Sequence, residues 1–191
     1  MSEIAAPTPR ISAHRPPAPA DQLAPAAGPA PLPGVSIVLP CFNEEDNVAE
    51  AVRAALLAGR RAALDHEVIV VDDGSRDRTG EIAQELRALN PDVRVIVHPD
   101  NLGYGAALRS GISAASKQWI LLTDADLQFD LTQLEDFLPF AEDHDLVLGR
   151  RFARMDPLGR RLAAALWNRL VDLVFGLPVR DVDCAFKLVR S

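Results

Sequence analysis

Two carboxylates lie one residue apart in the segment ILLTDADLQF, which spans residues 120–129. An apolar run precedes Asp124 and Asp126, which predicts that a buried strand ends in this acidic pair. Like charges crowded at a partly buried edge repel each other unless a cation or hydrogen-bond donors neutralise them. The pair therefore favours a metal site, although acidic residues also form turns and cap helices.

Polar and aromatic residues follow two other apolar runs in the same way. The run VSIVLP leads into Pro40, Phe42 and Glu44, and the run EVIVV leads into Asp72 and Asp73. Each group alone is explained by a turn or a helix cap. Acids at several strand ends are harder to explain as turns, because their charges would accumulate at one place.

The elements that must position these residues alternate along the chain. Near-continuous apolar runs rich in Val and Ile are typical of strands that are covered on both faces. Their alternation with helical segments predicts an α/β fold, with a mostly parallel sheet flanked by helices. Ligands of such sheets bind outside the carboxyl ends of the strands. The strands are expected at 35–40, 67–73, 93–99, 119–126 and 146–151, and the helices at 43–58, 77–89, 103–115, 131–141 and 158–175.

The types of the clustered residues indicate which ligand they hold. Oxygen ligands without neighbouring His or Cys favour Mg²⁺ or Mn²⁺, and the four histidines show no zinc-ligand spacing. Mg²⁺ typically binds through one or two carboxylates and the phosphates of its substrate, so the substrate is expected to carry a diphosphate. Asp72 or Asp73 would then accept hydrogen bonds from the base and ribose of a nucleotide.

The segment NLGYGAALRSG, residues 101–111, places three glycines around a predicted helix start. Glycines allow the backbone to approach a ligand closely, so Asn101, Gly103 and Arg109 are candidate substrate contacts. The segment lacks the lysine of a Walker loop and does not match the dinucleotide fingerprint. It therefore supports a nucleotide site without establishing one.

Composition sets the domain organisation. The chain has 191 residues, of which 48% are hydrophobic, which suits one globular domain. Residues 1–33 are rich in Ala and Pro and are predicted to form a disordered leader, so the domain is expected at 34–191. Neither a secretory signal nor a membrane-spanning stretch is found, and two cysteines make no disulfide framework. A cytoplasmic location is therefore expected.

Charge is distributed unevenly along the chain. The net charge of −7 argues against general nucleic-acid binding. From residue 146 to residue 191, however, nine basic residues face four acidic ones, a local net charge of +5. This part could face phosphates or an anionic membrane surface, or be an ordinary solvated surface. The predicted helix 158–175 likewise has an apolar face that could pack on the core or contact a membrane.

Six motifs, in this order and spacing, resemble the family 2 glycosyltransferases. The resemblance is strongest to the branch of dolichyl- and polyprenyl-phosphate mannosyl- or glucosyltransferases, and it covers residues 35–190. It implies a nucleotide-sugar-binding α/β domain of the GT-A type that acts by direct displacement, with inversion at the anomeric carbon. The motifs are LPCFNEEDNV, VVDDGSRDRTGEIA, NLGYGAALRSGI, TDADLQFD, LGRRF and DVDCAFKLVR.

The resemblance assigns expected roles to the residues of the first two motifs. Pro40, Phe42 and Glu44 would border the nucleotide. Val71 and Asp73 would lie at its base and ribose. The expected donor is a GDP- or UDP-hexose.

The acidic pair at the end of the predicted strand 119–126 would hold the remainder of the donor. In the resemblance, Asp124 and Ala125 hold the ribose and diphosphate. Asp126 ligates the Mg²⁺ or Mn²⁺ directly, with Gln128 as a second ligand. The developing negative charge of the leaving diphosphate would be stabilised there.

The acceptor implied by the resemblance is a polyprenyl phosphate, which places the protein peripherally at the inner face of a membrane. Arg151 would lie near the diphosphate or the acceptor phosphate, and Asp181 or Asp183 near the sugar or acceptor. A lipid phosphate is largely ionised at neutral pH and can attack without a strong base. A hydroxyl acceptor would instead need a carboxylate base, for which Asp181 and Asp183 are the candidates.

Two departures from the family pattern keep an alternative open. Ala185 stands where relatives usually carry Gly, and relatives of this branch continue beyond the last matched strand. A C-terminally truncated domain is therefore expected, and the alternative is a module that binds nucleotide sugar without transferring it.

Two other classes of protein fit the sequence less well. A nucleotidyltransferase usually has a Gly-rich basic loop after the first strand, where this chain is acidic. A phosphoacceptor receiver domain fails on the Asp-Ala-Asp motif and on length.

Overall fold

The computed structural model describes residues 29–149 and 184–191. Strands and helices alternate over most of this part of the chain, as the apolar runs predict. The elements are β1 Val35–Cys41, α1 Val48–Ala62, β2 His66–Asp72, α2 Thr79–Leu89, β3 Val93–Val97, α3 Tyr104–Ala114, β4 Trp119–Leu122, a 3-10 helix Leu131–Phe137, α4 Leu138–Ala141, β5 Leu146–Leu148 and β6 Lys187–Arg190.

The strands form one six-stranded sheet in the order β3-β2-β1-β4-β6-β5. Strands β1, β2, β3 and β4 are parallel, and β6 pairs antiparallel with both β4 and β5. The predicted α/β class with a mostly parallel sheet is confirmed. Strand β6 was not predicted, because the four residues KLVR are too short and too charged to stand out as an apolar run.

Helices cover both faces of the sheet unequally. The larger core cluster lies under α1, α2 and the 3-10 helix, and it includes Ile37, Leu39 and Trp119. The smaller cluster lies under α3 and includes Val38 and Ile69. Helix α3 packs so close to the sheet that a side chain at Gly111 would collide with Val38. A glycine at that position is therefore a requirement of the packing.

The segment after β1 differs from its predicted form. A helix was expected from residue 43, whereas α1 begins at Val48. Asn43 has a φ of 56°, a left-handed conformation that Asn tolerates and that no α-helix contains. The predicted helix 131–141 is likewise divided, because it starts as a 3-10 helix and becomes α-helical only at Leu138. The side chain of Asp130 caps its start by accepting the N–H of Thr132.

Leu32, within the predicted leader, packs against the core. Leu32 is 4% exposed and belongs to the larger core cluster. Its N–H donates to the carbonyl of Ala62, and its carbonyl accepts the N–H of Leu64. Leu32 therefore packs with the domain, although the expected leader ran to residue 33. Residues 1–28 and the predicted helix 158–175 lie outside the described residues.

A buried carboxylate network occupies the amino end of the sheet. Glu67, 5% exposed on β2, accepts hydrogen bonds from Arg94, from the Ser36 hydroxyl and from both the N–H and the hydroxyl of Ser116. Burial opposes ionisation of Glu67, but these donors outweigh it and lower its pKa from 4.5 to about 2. Every donor here comes from the protein itself, so this carboxylate serves the fold.

Within residues 29–149 and 184–191, no helix combines the length and the apolarity that a bilayer crossing requires.

Candidate functional site

A cleft of about 340 Å³ opens at the carboxyl edge of the sheet. This is the edge where ligands bind in open α/β sheets. Three strand ends contribute to it, together with the start of α3, so residues far apart in the sequence converge there. The lining residues are Pro40, Cys41, Phe42, Glu44, Asp73, Asn101, Tyr104, Ala107, Asp124, Ala125 and Asp126.

The loops after β1 and β2 are cross-linked into one wall of the cleft. The N–H of Asn43 donates to Ser75 Oγ at 2.9 Å, and the N–H of Arg76 donates back to Asn43 Oδ1 at 2.9 Å. The N–H of Glu44 donates to Thr79 Oγ1 at 2.7 Å. Reciprocal bonds of this kind hold both loops in one relative position, which preorganises the residues between them.

Asp73 fastens the loop that leads into α3. Its carboxylate accepts hydrogen bonds from His98 Nδ1 at 2.6 Å, from the N–H of Leu102 at 3.0 Å and from the N–H of Gly103 at 2.8 Å. His98 is buried and also contacts Ser110 Oγ through Nε2 at 2.9 Å. Burial opposes ionisation of Asp73, but the three donors outweigh it and lower the pKa of this carboxyl group.

Gly74 allows this loop to lie directly over Asp73. It has a φ of 69°, and a Cβ atom at this position would collide with the backbone of Asp100 and Asn101. A glycine is therefore required by conformation and by space together. The loop at residues 100–101 is therefore held against the end of β2 by close backbone packing as well as by the Asp73 side chain.

Val71 and Asp72, which were expected to contact the nucleotide, do not line the cleft. Val71 is fully buried in the smaller core cluster under α3. Asp72 accepts the N–H of Ser75 at 3.0 Å and contacts Gly80 at the start of α2. Asp72, the last residue of β2, therefore faces α2, whereas Asp73 follows the strand and lines the cleft.

The acidic pair after β4 forms the opposite wall. Asp124 Oδ1 accepts the hydroxyl of Tyr104 at 2.9 Å. Among the described residues, the Asp126 carboxylate accepts one hydrogen bond, from the N–H of Gln128 at 3.1 Å. The turn that follows the pair contains Leu127 with a φ of 60°, a conformation that is uncommon for a residue with a side chain. The predicted pair therefore reaches the cleft on a strained turn.

Tyr104 and His98 are site residues that the sequence reasoning missed. Burial and the negative charges of Asp124 and Asp126 raise the pKa of Tyr104, so its hydroxyl stays protonated and donates. Tyr104 stands between two glycines at a helix start, a context that could have marked it. His98 is a single histidine after a strand, and nothing in its sequence context signals the contact with Asp73.

Cys41 also lines the cleft, where its surroundings disfavour the thiolate. Burial raises the pKa of its thiol, and the neighbouring carboxylates of Glu44 and Asp72 raise it further. A thiol that stays protonated attacks poorly, because the thiolate is the reactive form. Covalent catalysis by this cysteine is therefore not expected.

The remaining predicted residues divide into three groups. Asn101 lines the cleft with Pro40, Phe42, Glu44 and Ala125. Gly103, Arg109 and Gln128 do not line it; the backbone of Gly103 binds Asp73, and the other two are exposed. The third group, which comprises Arg151, Asp181 and Asp183, lies outside the described residues.

The described residues fit a metal ion whose coordination is completed by a substrate. No group of three or more His, Cys, Asp and Glu side chains in the described part of the chain could enclose a metal ion. Asp124 and Asp126 nevertheless present two carboxylates to the same cleft. Because Mg²⁺ commonly binds through one or two carboxylates and the phosphates of its substrate, this donor set suits such an ion.

Comparison with known proteins identifies the family. Residues 36–190 match the profile described as Glycosyl transferase family 2. The chain belongs to glycosyl transferase family 2. The resemblance carried by the six sequence motifs is thereby confirmed.

Curated members of the family share the same region. The chain is 33% identical over 165 residues to the undecaprenyl-phosphate 4-deoxy-4-formamido-L-arabinose transferase of Pseudomonas fluorescens (strain Pf0-1), covering 85% of this chain and 48% of that protein. It is 32% identical over 160 residues to the enzyme of the same name from Edwardsiella ictaluri, covering 82% and 49%. The chain therefore spans about half the length of these relatives.

Solved glycosyltransferase structures share the fold. A mannosyltransferase from Pyrobaculum calidifontis in complex with GDP-Man and Mn²⁺ superposes with a TM-score of 0.54 at 22% identity, covering 69% of this chain and 39% of that one. Glucosyl-3-phosphoglycerate synthase from Mycobacterium tuberculosis, in complex with Mn²⁺, UDP and glucosyl-3-phosphoglycerate, gives 0.60 at 24% identity, covering 82% and 56%. At this identity the likeness establishes the GT-A type of α/β fold.

Proposed function

We propose that this chain takes part in transferring a sugar, expected to be a hexose, from a nucleotide diphosphate donor to a polyprenyl phosphate. The observation that carries the proposal is the convergence of Asp73, Asp124 and Asp126 on one cleft beside the exposed ring of Phe42. The curated relatives named above are undecaprenyl-phosphate transferases, and they support the acceptor class. Their sugar is an arabinose derivative, a pentose, so the hexose rests on the motif resemblance.

The two walls of the cleft suit the two ends of such a donor. Phe42 is 42% exposed and offers a flat apolar surface on which a base can stack. Pro40, Glu44 and Asn101 border the same end. Asp124 and Asp126 lie at the other end, where a diphosphate with its cation would complete the metal coordination. The donor would therefore extend along the carboxyl edge, from β2 to β4.

Asp126 would hold Mg²⁺ or Mn²⁺, with Asp124 beside it and Gln128 as a further ligand. When bound, the ion neutralises the charge that develops on the diphosphate leaving group. The Tyr104 hydroxyl orients Asp124 through its hydrogen bond at 2.9 Å. The N–H of Gln128 binds Asp126 Oδ1, and no hydrogen bond from residues 29–149 or 184–191 reaches Oδ2, which could bind a ligand.

The acceptor would attack the anomeric carbon directly, with inversion. A phosphate monoester is largely ionised at neutral pH, so the attack needs no strong general base. Arg151 would lie near the diphosphate or the acceptor phosphate, and Asp181 or Asp183 near the sugar or acceptor. With a lipid acceptor, the protein would work peripherally at the inner face of a membrane.

The test is an Asp126→Asn variant of the full chain, assayed for transfer from UDP- and GDP-sugars to undecaprenyl phosphate with Mn²⁺. We expect transfer to fall by about 10²–10³-fold, since one electrostatic contact to the leaving group is lost. Titration calorimetry with nucleotide and Mn²⁺ should show that the metal-dependent part of the binding is lost as well. Unchanged transfer in this variant would reject the proposal.

Asp130→Asn is the matched control. Asp130 lies four residues further on, outside the cleft, where it caps the 3-10 helix. We expect this variant to retain transfer and nucleotide binding, because an Asn also caps helices well. Metal-dependent nucleotide binding without transfer to any lipid phosphate would instead favour the alternative, a nucleotide-sugar-binding module.

A further inference from the structure

His98 attaches helix α3 to the end of β2 at two points. Its imidazole ring is buried, with Nδ1 at 2.6 Å from Asp73 Oδ1 and Nε2 at 2.9 Å from Ser110 Oγ. An ionised carboxylate can only accept, so the proton lies on Nδ1 and this nitrogen donates to Asp73. The backbone N–H of His98 also donates to the carbonyl of Asp72 at 2.8 Å. The residue is therefore fixed by three hydrogen bonds.

Asp73 connects the imidazole to the start of α3. Its carboxylate accepts the N–H of Leu102 at 3.0 Å and the N–H of Gly103 at 2.8 Å. Gly103 is the N-cap residue of α3, and Ser110 lies in the second turn of the same helix. The ring of His98 thus holds α3 at its start, through Asp73, and further along, through Ser110. A helix that is fixed at two points by a hydrogen-bond network keeps one orientation relative to the sheet.

Tyr104, the first residue of α3, links the helix to the acidic pair. Helix α3 packs on β1 and β2, whereas Asp124 follows β4, which lies beyond β1 in the sheet. The Tyr104 side chain crosses this distance, and its hydroxyl donates to Asp124 Oδ1 at 2.9 Å. The orientation of the Asp124 carboxylate therefore depends on where α3 is held.

We propose that His98 is a positioning residue for the metal site, and that it acts through α3 and Tyr104 on Asp124. This inference rests on the proposed function, which places the ion at Asp124 and Asp126. His98 does not line the cleft, so its contribution is to keep the helix, and with it the phenol, in one place. Removing a hydrogen-bond partner of a metal-binding group commonly lowers metal affinity by about 10–100-fold. A change at His98 should therefore weaken metal binding although its ring touches no metal-binding group.

The contacts of His98 with Asp73 and Ser110 also have the distances of a nucleophilic triad. A nucleophilic serine must reach the substrate, however, and Ser110 does not line the cleft. The proposed function also needs no covalent intermediate, because the acceptor attacks directly. The geometry therefore favours the positioning of α3 over covalent catalysis.

The first experiment measures Mn²⁺ affinity, from the electron paramagnetic resonance signal of the free ion, in the full chain with excess UDP and, in parallel, GDP. In Tyr104→Phe the ring remains and the hydroxyl is lost, so we expect Mn²⁺ to bind about tenfold more weakly. His98→Leu removes both attachments of α3 and should weaken binding about three- to tenfold. In His98→Asn the amide nitrogen can replace Nδ1 as the donor to Asp73, so binding should return to within about twofold of the wild type.

A double-mutant cycle tests the route. Because the effect of His98 is expected to pass through the Tyr104 hydroxyl, adding His98→Leu to Tyr104→Phe should weaken Mn²⁺ binding by no more than about twofold further. Losses that multiply independently in the double variant would overturn the route through Tyr104. The cycle also corrects for a general loosening of the protein, which would act equally in both backgrounds.

Tyr104 is the only tyrosine of the chain, and it gives a signal that needs no metal. The Raman doublet of a tyrosine changes with the hydrogen bonding of its hydroxyl, and Tyr104→Phe supplies the blank. We expect the wild-type doublet to indicate a donating hydroxyl, and the His98→Leu doublet to indicate a weakened or lost hydrogen bond. An unchanged doublet in His98→Leu would overturn the inference.

His66→Leu is the matched control. His66 lies at the amino end of β2, with Nε2 at 3.6 Å from Asp92 Oδ2, so this variant also removes an imidazole beside a carboxylate. Mn²⁺ affinity and the Tyr104 doublet should stay as in the wild type. An equal loss of affinity in His66→Leu would show that Mn²⁺ binding responds to any such change, and would overturn the assignment to His98.

The outcomes separate this inference from the proposed function. Mn²⁺ binding in His98→Leu as tight as in the wild type, or tighter binding in Tyr104→Phe, would overturn the positioning role and leave the proposed function standing. If the wild type binds no Mn²⁺ with either nucleotide, both fail together. Should His98→Leu not fold, Ser110→Ala takes its place, because it removes the second attachment of α3 and should weaken Mn²⁺ binding about two- to threefold. Unchanged binding in Ser110→Ala would then overturn the inference.

Discussion

Glu67 and Asp126, which lie at opposite ends of the sheet, differ in how many hydrogen bonds they accept from the protein. At the amino end, Glu67 is surrounded by protein donors, namely the Arg94 guanidinium at 2.8 Å, the Ser36 hydroxyl at 2.7 Å and two groups of Ser116. At the carboxyl end, Asp126 accepts one backbone N–H among the described residues. A carboxylate whose acceptor sites are all used stabilises the fold, whereas one with free sites is available to a ligand.

The backbone differs between the two regions as well. Glu67 lies within β2, in register with Ser36 on β1. Asp126 precedes Leu127, which has a φ of 60° in the left-handed region. Strain of this kind is found at binding and catalytic sites, because a relaxed turn would direct the side chains elsewhere. The difference indicates that Glu67 stabilises the fold, whereas Asp126 is placed to bind a ligand; Asp73, with three protein donors in the cleft, lies between these two cases.

The largest expected effect on stability comes from Glu67→Ala. The substitution leaves the Ser36 hydroxyl and the Ser116 N–H without their acceptor, and we expect a loss of about 3–4 kcal/mol in the free energy of unfolding. Urea unfolding followed by circular dichroism measures it. The folded fraction should still bind Mn²⁺ and UDP with the affinity of the wild type. Weakened nucleotide binding would show that the two ends are coupled.

Asp65→Ala is the control for that variant. Asp65 is an acid of the same region, and its side chain is 63% exposed and paired with Lys117 at 2.6 Å. Exposed ion pairs contribute little, so no measurable shift in the unfolding midpoint is expected. An equal loss in both variants would mean that the region is sensitive to any charge removal.

The pH dependence of stability tests the same carboxylate without removing its side-chain volume. The pKa of Glu67 is lowered from 4.5 to about 2, so its contribution is complete above about pH 5 and is lost as the pH falls toward 2. The lowered pKa of Glu67 corresponds to a contribution on the order of 3 kcal/mol to the free energy of unfolding. Asp73 and Asp77 also have lowered pKa values, so the informative quantity is the difference between wild type and Glu67→Gln.

Urea unfolding at a series of pH values between 2 and 7 measures this difference. The wild-type curve should fall more steeply than the Glu67→Gln curve below about pH 5, and the two slopes should agree above it. Parallel curves over the whole range would show that Glu67 does not carry the acid sensitivity.

The sequence predicted the parts of this molecule that depend on local pattern. Apolar runs located the parallel strands. Because the carboxyl ends of parallel strands lie at the same edge of a sheet, the sequence also predicted that Asp73, Asp124 and Asp126 meet there. Which of two adjacent acids faces the cleft was beyond that reasoning. The answer for Asp72 and Asp73 depends on which face of β2 is covered by α3, and this is a property of the assembled fold.

Contacts between distant segments were also beyond the sequence. The antiparallel position of β6 between β4 and β5 depends on pairing across many residues. His98 and Tyr104 are single residues whose roles arise from their contacts with Asp73 and Asp124. Isolated polar residues have no period or spacing, so pattern reasoning has nothing from which to infer their partners.

The smallest expected effect comes from the strained turn, through the pair Leu127→Gly and Leu127→Val. Glycine relieves a left-handed penalty of about 1 kcal/mol but gives up a similar amount in chain entropy, so the unfolding free energy should change by less than about 1 kcal/mol. Valine is β-branched and tolerates the left-handed region poorly, so a loss of about 1–2 kcal/mol is expected.

Leu64→Val supplies the reference, because Leu64 is 78% exposed and its φ is not positive. It should unfold as the wild type does. Because glycine also frees the turn that directs Asp126, Leu127→Gly should bind Mn²⁺ with UDP a few-fold more weakly at nearly unchanged stability. Equal stability of Leu127→Val and the wild type would show that the turn stores no strain. The contrast with the relaxed strand at Glu67 would then rest on hydrogen bonding alone.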